Sequence, residues 1–458
     1  MGNQKTLKRT VGEGTVVASA ASLITKAVGL ITLFIVLNKL SIYEYGLAKL
    51  ALSIVPLLGF LRLPGMDTVI ITDMSYEIGK GNISRAKGIF WSYFRLQAVL
   101  AVLAWAVLFF GAEFIDNFYE GQITLLIKII SFSFIFSLFR NLFTSIFSVE
   151  LRFIEQSFFT IIEEISKLVL IIITFYVFGM GPAGFVGATV LSQILPLIIM
   201  SPVFVNLMKS VYGDIEEENI NIFHIIKAHG KWSIATSYLN DFSKNIRLWI
   251  IRLFLNTEAV AIFSVALGFY SNTVGLIPFN QIISTVIPRH LSDSKRFIHI
   301  IKKSIKIQIF LFLILFTFAN FVFPPIISLI FPQYIDSVLL FRIMSFAMFP
   351  VAFSSVFTIL FFSIKNQKSF FLSNILKLLT TIILMPILVY FFGLTGASLE
   401  FLASIIIIVI ERYFAIQKIF KGFEFNVKDL ILFTKEDRSL LLKVINNLFV
   451  KFSKFTKI

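Results

Sequence analysis

The positions of Lys and Arg relative to long apolar stretches constrain this chain more than any other feature. About twelve apolar runs, each with roughly the 20 residues needed to cross ~30 Å of hydrocarbon, lie at 14–38, 46–73, 89–111, 123–148, 158–178, 182–208, 232–255, 259–287, 307–330, 335–362, 370–392 and 395–417. About 27 of the 41 Lys and Arg residues fall at the two ends and in alternate connections. Lys80, Arg85, Lys87, Arg152, Lys209, Lys227, Lys302 and Lys365 are among them. The intervening connections hold little beyond Lys39 and carry acids instead, at Glu113, Asp116, Glu120, Glu258 and Asp336. The positive-inside rule therefore predicts an even number of spans, both termini in the cytoplasm, and a multi-pass protein of the cytoplasmic (inner) cell membrane.

Composition agrees with an all-α polytopic membrane protein: 57% of residues are hydrophobic, 15% are charged, and no connection is long enough for a soluble domain. The net charge of +15 could suggest nucleic acid, but the bases flank spans, where they orient the chain and meet anionic inner-leaflet lipid. No nucleic-acid partner is expected. The absence of Cys removes disulfides, thiol catalysis and cysteine metal sites. His224, His229, His290 and His299 all sit in basic connections without H-E-x-x-H spacing, so neither a metal, a cofactor nor a catalytic constellation is expected. Gly179, Gly181 and Gly184 fit G-x-G-x-x-G but lie between two apolar runs, with no βαβ unit to hold a pyrophosphate. They predict a tight turn. The first six residues fit the myristoylation pattern, an anchor made redundant by so many spans.

A weak internal repeat links the halves. At an offset of 214 residues Glu44 meets Glu258 and Pro64 meets Pro278; at 212, Gly181 and Gly184 meet Gly393 and Gly396. Both halves start on the same side of the membrane, which predicts two six-helix lobes as parallel repeats around a central cavity. The expected organisation is an N-lobe at 1–207, a cytoplasmic linker at 208–231 containing Glu216, Glu217 and Glu218, a C-lobe at 232–417, and a basic tail at 418–458. In the tail, Leu441, Ile445, Leu448, Phe452 and Phe455 recur at helical spacing, as in a helix lying in the membrane interface.

Several runs carry polar residues at three-to-four spacing, and hence on one helical face. Small hydroxyl and glycine positions on such faces are explained by tight helix packing. Charges are not: an ionised side chain near mid-membrane costs from ~2.5 kcal/mol upward unless water or a partner receives it. Lys26, Arg140, Lys244, Arg247, Arg342 and Lys377 are therefore the candidate lining of a cationic lumen, with Asp241 as a candidate ion-coupling site. Local ion pairs such as Asp241 with Lys244 are the competing explanation. The excess of bases over acids on these faces points to an anionic passenger. Glu163, Glu164 and Lys167 read as a local helix pair, while Arg62, Asp67, Asp73 and Arg95 lie toward span ends, where side chains reach for the headgroups.

Leu40, Ser41, Glu44, Tyr45 and Gly46 match an L-S-x-x-E-Y-G loop; residues 63–68, from Leu63 and Pro64 to Thr68, are similar to a segment late in a second span; and 259–266, with Ala261 and Phe263 in place of Gly and Tyr, looks like a V-G-x-Y-S-x-A pattern opening an eighth. In these motifs the chain resembles the Wzx-like oligosaccharide flippases of the polysaccharide transporter family, in the multidrug/oligosaccharidyl-lipid/polysaccharide (MOP) superfamily that also holds multidrug antiporters and lipid II flippases. The resemblance implies alternating-access movement of a polyprenyl-diphosphate-linked oligosaccharide to the outer leaflet for surface polysaccharide assembly (O-antigen, capsule or exopolysaccharide), beside glycosyltransferases and a polymerase. Two alternatives stay open: a multidrug or small-ion antiporter of the same superfamily, for which an acid-rich cavity is expected, and a membrane-embedded polymerase or ligase, which needs a large external loop.

Overall fold

The computed structural model describes residues 2–116, 123–276, 294–364, 366–420 and 423–424, and all regular structure among them is helical. Beyond residue 424 the expected interfacial tail lies outside the described residues. The chain forms two compact units, Met1–Ser264 and Val265–Ile458.

In the first unit α1 (Gly2–Lys39) packs along α7 (Phe153–Ile172). The L-S-x-x-E-Y-G motif then starts α2 (Ile42–Leu57) as a capping box. Ser41 Oγ accepts from the Glu44 amide (3.2 Å) and the Glu44 carboxylate accepts from the Ser41 amide (2.9 Å), satisfying two amides that a helix start leaves open. The motif's glycine serves packing. A Cβ on Gly46 would stand 2.2 Å from the carbonyl oxygen of Thr257, the first residue of α12 (Thr257–Val274), so only glycine lets these two helix starts meet.

After α2 a 3₁₀ turn (Gly59–Arg62) leads to α3 (Met66–Gly79), bent by 52° from α2. Next come α4 (Ile83–Asp116), α5 (Thr124–Ser131), α6 (Ser133–Val149), α7, α8 (Pro182–Leu191) and α9 (Ile194–Tyr212). Gly179 and Gly181 lie in the short connection before α8, with Gly179 at φ +61° and Pro182 in the first turn of α8, while Gly184 is already inside that helix. A short α10 (Ile222–Ile225) and one π-helical turn (Ile226–Gly230) introduce α11 (Lys231–Phe254). Met66, Ile70 and Met74 of α3 form an apolar core with Phe90 of α4, Phe147 of α6 and Phe159 of α7.

The second unit contains the rest of α12, then α13 (Ser294–Ile330), α14 (Ser337–Ser345), α15 (Met348–Ser363) and α16 (Gln367–Ile419). At 1.5 Å per residue a straight helix of 53 residues would be ~80 Å long, more than twice the hydrocarbon thickness. The chain instead doubles back at Gly393 (φ +58°), where a Cβ on Gly396 would come 2.0 Å from the Leu388 carbonyl oxygen. Thr381 and Ser373 before the break donate to Glu400 and Glu411 after it, at 2.9 and 2.5 Å, so the halves lie antiparallel.

This is a multi-pass membrane protein. Among the described residues six helices are long and apolar enough to cross a membrane, or eight if each bent pair, α2 with α3 and α14 with α15, is one span. The difference from about twelve runs has physical causes. α7 carries Glu163, Glu164 and Lys167, and α11 carries Asp241, Lys244 and Arg247, so both are less apolar than their length implies. The run at 259–287 leaves the described residues after 276, and the two runs in α16 are continuous but for Gly393.

Candidate functional site

The polar centre of the first unit is built around the break between α2 and α3. Pro56 has no amide hydrogen, Leu63 stands at φ +46°, and Gly65 at φ +80°, so regular helical hydrogen bonding lapses across this segment. Carbonyls freed inside a membrane need other donors. Tyr238 Oη donates to the Leu57 oxygen (3.1 Å), buried Gln97 donates through Nε2 to the Arg62 oxygen (2.7 Å), and Ser233 Oγ donates to the Gly65 oxygen (2.9 Å). Trp249 Nε1 adds a bond to Ser53 Oγ (2.7 Å), so α11 holds the broken helix along its length.

Charges gather at this break. Tyr93 of α4 donates to Asp67 Oδ1 (2.7 Å), and the Arg62 guanidinium lies 6.0 Å from the Phe134 ring centroid. Asp67, Arg140 and Asp241 are all within electrostatic reach of Arg62. Arg62 and Asp67 therefore belong to an interior cluster, although their position late in the second run suggested side chains reaching for the headgroups. A space of about 20 Å³ beside Asp67, Tyr93, Gln97, Asn141 and Ser145 is large enough for a single water with several polar partners, and too small for an organic ligand.

The residues singled out from sequence are distributed as follows. Arg140 of α6 donates through Nε to Glu163 of α7 at 2.8 Å, with both side chains partly exposed. Glu163 thus pairs across helices, while Glu164 and Lys167 form the local pair. Lys244 lies 3.9 Å from Asp241 on α11, each about half exposed, and Arg247 one turn on is buried. Lys26 is half-buried on α1. In the second unit Arg342 is exposed on α14, and Lys377 is half-buried on α16, one turn from both Ser373 and Thr381. The structure therefore sets Lys244 beside Asp241 and Arg140 beside Glu163, with Arg140 and Asp241 each within electrostatic reach of Arg62.

Sequence inspection passed over the charges in the last run. Glu400 is fully buried, and Arg412, also buried, donates through Nη1 to the oxygen of Ser354 (2.9 Å), to Ser354 Oγ (2.8 Å) and to Thr358 Oγ1 (2.7 Å). Charges inside an apolar run were the available signal. The acidic connection after α9 was legible only as a linker. In the structure Lys87 Nζ donates to the Tyr212 oxygen (2.7 Å) and to the Ile215 oxygen, Ser84 Oγ donates to the Glu216 oxygen (2.6 Å), and Arg95 pairs with Glu217. Residues 212–218 are thereby strapped to the start of α4. Among the described residues no three His, Cys, Asp or Glu side chains are grouped to hold a metal.

Known structures share this architecture. An inward-facing multidrug resistance MATE family transporter of the MOP superfamily superposes with a TM-score of 0.72 at 13% identity, covering 88% of this chain and 95% of the other. The lipid II flippase MurJ in an inward closed conformation gives 0.69 at 18% identity over 95% and 97%. A MOP superfamily transporter from Pyrococcus furiosus, described as having a binding pocket of reverse polarity, gives 0.62 at 13% identity over 90% and 96%. No curated protein sequence matches the chain significantly. The model of one family, described as polysaccharide biosynthesis protein, matches residues 39–339, a stretch that runs from the capping box through α14's start and takes in the broken second helix with its charges. With that match over most of its length, the chain belongs to the polysaccharide biosynthesis protein family, and its fold is that of the MOP-superfamily transporters it superposes on.

Proposed function

We propose that this protein is an alternating-access transporter that carries a polyprenyl-diphosphate-linked oligosaccharide from the cytoplasmic to the outer leaflet, with twelve spans and both termini in the cytoplasm. Family membership carries the reading, because a polysaccharide pathway needs its lipid-linked intermediates moved across the bilayer. The basic groups at membrane depth support it: Arg62, Arg140 and Arg247 offer guanidinium forks suited to phosphate oxygens. In this reading Lys26, Arg140, Lys244, Arg247, Arg342 and Lys377 line the path of the diphosphate, and Asp241 is the ion-coupling carboxylate. The lobes at 1–207 and 232–417 rock about a cavity between them.

A second reading, a multidrug or small-ion antiporter, has specific support. Several of the similar structures are multidrug transporters, and the carboxylates Asp67, Glu163 and Asp241 stand near bases. The deciding experiment measures the sidedness of the lipid-linked oligosaccharide in cells lacking the protein, together with their sensitivity to cationic drugs. Precursor accumulating on the inner face, rescued by the wild type but not by an abundant Lys244→Ala, Arg247→Ala double variant, is the expected result. Normal surface polymer with raised drug sensitivity would establish the antiporter instead.

A further inference from the structure

We propose that a groove on the first unit, between α7 and α9 at their basic ends, is a binding site for the phosphodiester headgroup of one anionic phospholipid. The groove encloses about 370 Å³ and is lined by Phe147, Arg152, Glu155, Val203, Asn206, Leu207 and Ser210. Its place in the membrane follows from the chain: Arg152 lies in one of the base-bearing connections, and α9 runs into another, which carries Lys209.

The lining has the polarity of a lipid. Ser210, Asn206, Val203 and Ile199 are spaced by three or four residues and share one face of α9. This stripe is polar at the basic end and apolar toward the membrane interior, and all four residues are exposed. It extends ~16 Å along the helix, about the depth of one leaflet. Phe158 of α7, one turn beyond Glu155, exposes a further apolar surface beside it. A headgroup can sit at Arg152, Asn206 and Ser210 while an acyl chain follows Val203 and Ile199.

Local backbone places the cation. Just past α6 Leu151 stands in the left-handed region (φ +56°), and the Arg152 amide donates to the Phe147 oxygen at 2.7 Å, which turns Arg152 into the groove. Its side chain remains half exposed, and its guanidinium meets Glu155 at 3.1 Å. Glu155 is thus an internal counter-ion at the place a phosphate would occupy. An arriving phosphodiester competes with it for Arg152, so removing the Glu155 charge should strengthen lipid binding while removing the Arg152 charge weakens it.

This inference needs only a membrane-embedded chain and does not depend on the proposed cargo. The test is native mass spectrometry of the purified full chain titrated with phosphatidylglycerol and, separately, phosphatidylcholine. The wild type should retain phosphatidylglycerol preferentially. Arg152→Gln should weaken that retention about five- to tenfold, and Glu155→Gln should tighten it a few-fold. Lys368→Gln, with the same change in net charge at an exposed position in the first turn of α16, serves as the control. Equal losses in Arg152→Gln and Lys368→Gln would overturn the site, as would weaker binding by Glu155→Gln; the latter variant keeps the test decisive even if Arg152→Gln folds poorly. A polyprenyl diphosphate that displaces phosphatidylglycerol at far lower concentration would reject the phospholipid and assign the groove to the isoprenoid carrier.

Discussion

Replacing Gly65 by alanine tests whether α11 holds the broken second helix in place. The new methyl would be strained twice. At φ +80° an L side chain costs ~1–2 kcal/mol relative to glycine. Its Cβ would lie 2.4 Å from Ser237 Oγ, 2.8 Å from Ser233 Oγ and 2.9 Å from the Ser233 carbonyl oxygen. The hydroxyls can rotate away, but the carbonyl belongs to the α11 backbone, so α11 must retreat by about 0.5 Å to restore ordinary contact, an overpacking cost of ~1–3 kcal/mol. That retreat also stretches the Ser233 bond to the Gly65 oxygen, worth ~0.5–1.5 kcal/mol. The expected destabilisation is about 3–6 kcal/mol. It should be read by reversible unfolding in mixed micelles, with the fluorescence of Trp232 and Trp249 on α11 as the reporter. Ser233→Ala, which removes only the hydroxyl, should lose ~1 kcal/mol. Gly268→Ala, where an added Cβ meets nothing within 4 Å and the backbone is ordinary helix, should lose nothing and gain up to ~1 kcal/mol. If Gly65→Ala unfolds within ~0.5 kcal/mol of the wild type, the break is not held by α11 and the reasoning from close approach fails.

Tyr93→Phe should cost ~1.5–3 kcal/mol, because Asp67 loses a hydroxyl donor, and the smaller figure is expected since the adjoining cavity has room for one water; unchanged unfolding would mean that the bond contributes nothing. Lys87→Met should release the strap over 212–218 and speed cleavage at Glu216–Glu218 by a glutamate-specific protease severalfold, whereas Arg95→Gln, which breaks a largely exposed ion pair worth ~0–1 kcal/mol, should change it little; the reverse order would place the hold in the ion pair rather than in the lysine's carbonyl contacts.

What the sequence legibly contained was local. Apolar length, basic flanks and three-to-four polar stripes identified a multi-pass helical membrane protein, and its resemblance to a polysaccharide transporter family agrees with the family that matches residues 39–339. The turn at Gly179 was readable because it depends on a few consecutive residues, whereas the L-S-x-x-E-Y-G segment, matched as a loop, is in the structure the capped start of α2. The role of Gly46 was not readable: it appeared as a motif letter, and its meaning is the backbone of Thr257, more than 200 positions away.

The sequence by itself determined where chain enters apolar surroundings and which charges must find a partner there, because hydropathy and helical period are properties of neighbouring residues. Only the tertiary structure decided who those partners are. Arg140 meets Glu163 rather than Glu164, Asp67 meets Tyr93, and the oxygens freed at the second helix's break are met by Gln97, Ser233 and Tyr238 from two other helices. Hydrogen bonds form between atoms within about 3 Å, and in a bundle that proximity is set by how helices pack, which no period along one helix encodes.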